Sequence, residues 1–399
     1  MISQELIYRI ILIRMIRNKY AYIFVEVGKR EFESRFLVKK ELEKKGFIVI
    51  IGLKDLLLDM LILKCFPPGI IFDKCAQMAP NWRVKALKRR GFKYTCLDEE
   101  GIFSNVSEVS SRNPDHENCD FIFVNNKIHL KLLQQANPKN FLKNKLLISG
   151  NPRQSKSISL NNINSKNPDS TILVIGNFVH LRHGGKFRVN HRNPSLIFNY
   201  DKQSHDLVKS LINTKGIKVA YRPHPSETDW YKKYKDLHIL NDKNIYYWLN
   251  RYENIVCFRC TTSLEARAMG KRVFTFSNNT SVAPILNGVG LRFKDAEQLI
   301  ALIKSDKYSP HAPLREKFIL KSYIPEEWPE KIISKKIESL SFSSFGKYNP
   351  IYLRIMSSLL WFYYLRFDRK VMLQKFSTIE IQDYILDKKL KKIVNFIYK

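Results

Sequence analysis

No stretch of this chain reaches the ~18 apolar residues a membrane-spanning helix requires, and none is expected to cross a bilayer. A secretory leader is not expected either. The apolar run at the start is broken by Arg9, Arg14 and Arg17, and no small-residue cleavage site follows. Six cysteines are present, Cys65, Cys75, Cys96, Cys119, Cys257 and Cys260, without the spacing of a disulfide framework, which fits a reducing compartment. Cys257 and Cys260 form a C-x-x-C with no second Cys or His pair nearby, so a zinc site is not expected. No D-x-D follows a strand-like run, and helix-turn-helix, zinc-finger and RNA-binding signatures are missing. The expectation is therefore no metal, no cofactor and no nucleic-acid partner.

Acidic residues are scarce. The 399 residues hold 37 Asp and Glu against 68 Lys and Arg, a formal charge of +31. Such a balance implies either an anionic partner, such as an acidic membrane surface or anionic substrates, or a lysine-rich solvated surface. The apolar fraction of 44% is ordinary for a globular protein, and the length allows two domains with real cores.

Short apolar runs alternate with helical patterns. Residues 1–18 read as a basic helix, 20–27 as a strand, and 31–45 as an amphipathic helix stopped by Gly46. Strand-like runs recur at 47–52, 70–72, 92–97, 121–124 and 146–149, with helices between. Alternation at roughly 20–25 residues per unit marks βαβ units and a parallel sheet. Residues 151–170, rich in Asn, Ser and Lys with Pro152 and Pro168, read as a linker. A second block follows, with strands at 171–175, 217–221, 255–258 and 272–276 and helices at 246–251 and 263–269. The expected order is a basic helix (1–18), an α/β domain (19–150), the linker (151–170), a second α/β domain (171–310) and a helical, basic C-terminal extension (311–399), with a cleft between the domains. In that extension Trp361 to Tyr364 lie between Arg354 and Arg366, and Lys388 to Lys392 follow. This reads either as an interfacial membrane element or as a helix packed on the first domain.

Three segments carry the chemistry, each just after a strand-like run, where a parallel sheet places its ligands. LDEEG (97–101) offers the carboxylates Asp98, Glu99 and Glu100, with Gly101 permitting a close turn. RPHPSE (222–227) offers His224 beside Arg222, between Pro223 and Pro225, which fix φ on both sides. CTTSLEA (260–266) offers Thr261, Thr262 and Ser263 at a helix start, which favours an anion. A base, a cation and a phosphate cradle point to group transfer from a phosphorylated donor. Each has a plainer alternative: a solvated acidic turn, a surface histidine in a rigid turn, and hydroxyls that cap a helix.

The segments VEVGKREFESRFLVKKELEKKGF (25–47), LDEEG, SGNPR (149–153) and WLNRYENIVCFRCTTSLEARAMGK (248–271) resemble bacterial surface-carbohydrate biosynthesis proteins across about residues 20–276. The motif triplet also resembles bacterial sialyltransferases and Kdo transferases of the GT-B fold. That resemblance implies two Rossmann-type parallel-sheet domains facing across a cleft. The activity implied is inverting transfer of an acidic sugar (sialic or another nonulosonic acid, or Kdo) from a CMP-sugar to a glycan or lipid-linked glycan. Surface polysaccharide, lipopolysaccharide or capsule would be the product, made at the inner face of the cytoplasmic membrane.

Carried over by position, Glu99 is the first choice for the base and Asp98 the second, with Glu100 in the same acidic run. A carboxylate in reach of the acceptor hydroxyl is typically worth ~10²–10⁴-fold. His224 would serve the leaving phosphate, with Arg222 and the 261–263 hydroxyls as phosphate ligands. Glu265 would hold a ribose hydroxyl or favour the helix dipole. Arg30, Glu31 and Ser34 after the first strand, with Asn151 and Arg153 at the linker, are candidate cleft residues without an assigned role. His180, His183 and His191 mark a basic loop as a candidate lid. CDP-glycerol phosphotransferases share the R-P-H-P pattern, and LDEEG is the feature that favours sugar transfer over them. Epimerases of UDP-N-acetylglucosamine share the fold but carry a different, glycine-rich phosphate segment. A non-catalytic basic protein that binds membrane or nucleic acid is the alternative of another class.

Overall fold

The computed structural model describes residues 19–26, 28–74, 81–99, 116–136, 144–159, 171–177, 194–224, 227, 231–232, 234, 237–240, 243–258, 260–276, 289–305, 308–310, 313–324 and 326–340. The helix expected at 1–18, Glu100, Gly101, Pro225, the histidines at 180–191 and residues 341–399 lie outside them. The chain forms two compact units, Met1–Arg153 with Pro325–Lys399, and Gln154–Ile324.

The first unit is built on six parallel strands: β1 (Lys19–Val25), β2 (Phe47–Leu53), β3 (Ile70–Asp73), β4 (Lys93–Leu97), β5 (Phe121–Val124) and β6 (Leu146–Ile148). Their order is β2-β1-β3-β4-β5-β6. Ile23 of β1 pairs with Ile51 on one side and Phe72 on the other. The strands are near-continuous apolar runs because both faces are covered, and side chains alternate between the faces. Tyr22 and Phe24 pack with Leu57, Leu58 and Leu61 of α2 (Lys54–Ile62) and with Val84 and Leu87 of α3 (Asn81–Arg89). Leu133 of α4 (Lys127–Ala136) joins that layer. Ile23 and Val25 turn the other way, toward Val38 and Leu42 of α1 (Gly28–Lys44). Gly46 and Gly91 end α1 and α3 at φ of +78° and +87°, a region L side chains avoid.

Two features depart from the sequence reading. Part of the expected linker is helical, α5 (Pro152–Ser159). Proline suits a first helical turn because its missing N–H needs no partner there, and Asn151 Oδ1 accepts from Arg153 N at 3.0 Å. The region read as a single C-terminal extension divides between the units. Its last described helix, α11 (Pro329–Ser339), completes the first unit: Ile333 and Ile337 fill the α1 face, and Lys45 Nζ lies 2.7 Å from Glu338 Oε2.

The second unit repeats the plan with β7 (Thr171–Ile175), β8 (Lys218–Arg222), β9 (His238–Ile239), β10 (Asn254–Cys257), β11 (Arg272–Phe276) and β12 (Leu291–Phe293), all parallel. The order is β12-β11-β10-β7-β8-β9. Ile172 and Val174 face α6 (Pro194–Ile212) and α9 (Ala296–Lys304). Leu173 and Ile175 face α7 (Ile245–Arg251) and α8 (Thr262–Ala268), and α10 (Pro313–Tyr323) packs on α8. Among the described residues no helix is long and apolar enough to cross a membrane.

In open parallel sheets ligands settle outside the carboxyl ends of the strands, where the strand order reverses. In the first unit that point lies between β1 and β3. In the second it lies between β7 and β10.

Candidate functional site

At the carboxyl edge of the first sheet the chain's own charges meet one another. Glu31, in the first turn of α1, is buried and accepts from Glu26 N at 2.8 Å. Lys74 Nζ lies 3.2 Å from Glu26 Oε2 and 3.3 Å from Glu31 Oε1. Asp73, the last residue of β3, takes Lys54 Nζ at 2.6 Å and the Tyr94 hydroxyl on Oδ2, and Lys74 N at 2.7 Å on Oδ1. Burial, reinforced by the Asp73 carboxylate, pushes the Tyr94 hydroxyl well above the usual tyrosine range. Tyr94 therefore stays neutral and donates.

Glu99 and Asp98 follow β4. Glu99 Oε1 lies 2.9 Å from Arg35 Nη2, with both side chains almost wholly buried, and the guanidinium stacks 4.8 Å over Phe72. Arg35 is thus the counter-ion of this carboxylate. Asp98 is fully buried, and its backbone carbonyl takes Asn125 Nδ2 at 2.8 Å. Its Oδ2 lies 3.3 Å from His129 Nε2 and 3.8 Å from His116 Nε2, both imidazoles being fully buried. His129 Nδ1 accepts from Asn125 N at 3.4 Å, which assigns the ring proton to Nε2, facing Asp98.

The structure thus brings Glu31, Asp98 and Glu99 to the edge of one sheet, each engaged by partners the sequence reading did not name. Arg35 stands four residues after Glu31, one turn further along the same face of α1, a spacing that sets it beside Glu31 without announcing its pairing with Glu99. No local pattern marks His116 and His129. Ser34 Oγ donates to Glu31 O at 2.6 Å, inside its own helix. Arg30 lies in α1. Asn151 is buried at the start of α5, and Arg153 is half-buried in it.

In the second unit, β8 and β10 flank β7, so RPH and CTTS emerge on either side of the β7 end. Asn177, just past β7, donates its Nδ2 to Phe258 O at 3.2 Å, which ties the β7 and β10 ends across the switch point. Gly176 before it admits no Cβ: that atom would overlap the Tyr221 hydroxyl and stand 2.5 Å from Glu227 Oε1. Tyr221 donates to Glu227 Oε2 at 2.6 Å, and Glu227 N donates to His224 O at 2.9 Å, so Glu227 turns back on the strand. His224 sits at that corner and is half-buried. Arg222 Nη1 donates to Leu240 O at 3.1 Å and Lys243 O at 2.8 Å, bracing the β9 edge.

The CTTS turn closes on itself. Thr261 precedes α8 in a helical conformation and makes no side-chain cap. Ser263 Oγ donates to Cys260 O at 2.8 Å, and Ser263 N donates to the same carbonyl at 3.1 Å. The Cys260 thiol and the Thr262 hydroxyl lie 3.2 Å apart. The expected capping by Thr262 or Ser263 is replaced by this turn, because the hydroxyls point back to residue 260 rather than forward to the helix N–H groups. Glu265 is buried and accepts from the Tyr246 hydroxyl at 3.2 Å. Cys257 is buried in the α7–α8 layer, and burial pushes its thiol well up.

No family model matches the sequence, and no curated protein does. Solved structures do match. A UDP-GlcNAc 2-epimerase of Methanocaldococcus jannaschii, bound to UDP-GlcNAc and UDP, superposes with a TM-score of 0.51 at 11% identity, covering 80% of this chain and 99% of its own. A variant of the wall teichoic acid polymerase TagF gives a TM-score of 0.51 at 10% identity, covering 81% of this chain and 88% of its own. At such identities the likeness speaks to architecture. The chain is an α/β protein of the GT-B-like class, with two Rossmann-type units that each carry a six-stranded parallel sheet.

Proposed function

We propose that this chain is a glycosyltransferase of surface-polysaccharide assembly that takes an acidic sugar, sialic or another nonulosonic acid or Kdo, from a CMP-sugar donor. The reading includes metal-independent transfer with inversion to a glycan or lipid-linked glycan. The observation that carries it is the half-buried His224 at the end of β8, beside the β7–β10 switch point, in the place where a doubly wound sheet receives a nucleotide. There an imidazole can donate to a phosphate oxygen as negative charge develops on the departing nucleotide. Thr261, Thr262 and Ser263 form the turn after β10, and Glu265 in the helix that follows accepts from Tyr246. Arg222 supports the loop through its carbonyl contacts. The 98–100 run supplies the base in this reading, with Glu99, the partner of Arg35, as first choice and Asp98 as second.

Glycerol-phosphate transfer from a CDP-activated donor is the second reading. The same Glu99–Arg35 pair favours it, because that pair engages the carboxylate that otherwise separates the two chemistries. A calorimetric screen of CMP, CDP, UDP and GDP, first without metal and then with magnesium, tests both. The first reading expects selective, metal-independent CMP binding, weakened about tenfold or more by His224→Ala. Preference for CDP moves the assignment to glycerol-phosphate transfer. Preference for UDP or GDP, or no nucleotide binding, overturns both.

A further inference from the structure

A helix on a globular surface carries one apolar stripe, turned inward, with polar residues opposite. The helix α10 carries apolar residues on both sides. Inward, Ile319 and Tyr323 are buried. Glu316 is buried beside them, paired with Arg267 and accepting from Gly290 N at 3.3 Å, which fixes the rotation of the helix. Outward, Leu314 is 85% exposed and Phe318 60% exposed, and Ile324, one residue past the helix, is exposed as well. Lys317 and Lys321 are exposed on the same stripe. Positions 314, 317, 318 and 321 follow the i, i+3, i+4, i+7 spacing of a single helix face.

Single exposed apolar residues are ordinary. Here a leucine and a phenylalanine stand one turn apart on a helix that is already anchored by its other side. The exposed residues of the stripe are apolar or cationic, with no carboxylate among them. We propose that this face of α10 docks on an anionic lipid surface. Leu314 and Phe318 enter the boundary between headgroups and acyl chains, and Lys317 and Lys321 meet lipid phosphates. Charge decides the occupant. A second copy would set Lys317 and Lys321 against their own counterparts in a chain of charge +31. Aliphatic Leu314 and Ile324 gain nothing from a nucleic-acid backbone. The inference stands apart from the reaction proposed above and holds for any chemistry in the second unit.

The test is partition of the full chain onto phosphatidylcholine vesicles with and without phosphatidylglycerol. Binding is expected to require phosphatidylglycerol. Leu314→Ser with Phe318→Ser should lower the partition coefficient about tenfold or more. Lys317→Gln and Lys321→Gln should each lower it about fivefold. All four positions are exposed, so melting temperatures should stay at the wild-type value. A Phe318→Trp variant should shift its emission to the blue on vesicles and be quenched by brominated acyl chains. Equal partition of the wild type and the Leu314→Ser/Phe318→Ser variant overturns the proposal. Equal binding to neutral and anionic vesicles overturns the choice of lipid. A dimer in vesicle-free solution that Leu314→Ser dissociates makes the face an interface between copies, which also overturns it.

Discussion

Removing Arg35 alone, or Glu99 alone, should damage the first unit far more than removing both. The pair is 2.9 Å apart with side chains at 0% and 1% exposure. At that separation the gross attraction is about 6 kcal/mol for an effective dielectric of ~20. Desolvation of two ions cancels most of it, so the net worth of the pair is small. Breaking it is another matter. Glu99→Leu leaves a guanidinium buried against Phe72, and a guanidinium cannot shed its charge. Arg35→Met leaves a buried carboxylate without its counter-ion. Each single change should cost ~3–5 kcal/mol, and the apolar double should cost ~0–2 kcal/mol.

A single unfolding free energy is ill-defined for a chain of two compact units. The readout is therefore hydrogen exchange of β1, β3 and β4 peptides. A loss of ~3 kcal/mol there is about a hundredfold faster opening, and the double variant should return close to wild-type protection. The same cycle addresses mechanism. If the double variant regains both protection and transfer, Glu99 is a structural residue. If it regains protection and stays inactive, Glu99 is the base after all. Wild-type exchange in either single variant would refute the reasoning about burial.

Asp98→Ala should open the β4–β5 edge by about 2 kcal/mol or more, because His116 and His129 lose the carboxylate they face, whereas Asp98→Asn should cost less; equal exchange in the two variants counts against the cluster. Gly176→Ala should destabilise the second unit by ~1–3 kcal/mol through overlap with the Tyr221 hydroxyl. Combined with Tyr221→Phe, which removes that hydroxyl, it should cost less than the sum, and strict additivity would argue against the overlap. Tyr308 both donates to Val273 O and accepts from Val273 N at 3.0 Å, and burial pushes its hydroxyl up to about 12. An unfolded tyrosine ionises near 10, so the stability Tyr308 supplies should be intact below that pH and decline from about pH 10 toward 12. Tyr308→Phe should cost ~1–3 kcal/mol at neutral pH and flatten that alkaline decline, as seen in denaturation midpoints.

The fold was readable because its signals are local. Apolar runs that covered sheets demand gave 121–124, 171–175 and 272–276 with the bounds observed for β5, β7 and β11. Gly46 and Gly91 stopped their helices as left-handed residues do. The helix α5 was hidden because Asn, Ser and Lys read as linker wherever packing is not visible, although Pro152 was the clue. At the candidate sites the residue types were legible and their partners were not. LDEEG announced carboxylates after a strand, but whether such a group faces solvent or a buried cation depends on Arg35, 64 positions earlier in the chain. Histidines 116 and 129 reach Asp98 only through the β4–β5 pairing, a contact no local pattern encodes.

Two sheets of one architecture therefore use their switch points differently. Between β1 and β3 the described side chains are paired: Lys74 with Glu26 and Glu31, and Lys54 with Asp73. A phosphate entering there would have to displace carboxylates from their lysines, trading buried ion pairs for new ones at the cost of Glu31 and Asp73 left without counter-ions. Around the β7 and β10 ends the described groups include neutral dipoles, the Asn177 amide, the Phe258 carbonyl and the Thr262 and Ser263 hydroxyls, beside the carboxylates of Glu227 and Glu265. Neutral dipoles reorient around an incoming anion without stranding a charge. That difference favours the second unit for the donor in the proposed reaction, and the Arg35 and Glu99 cycle decides whether the acidic run of the first unit acts as base or as scaffold.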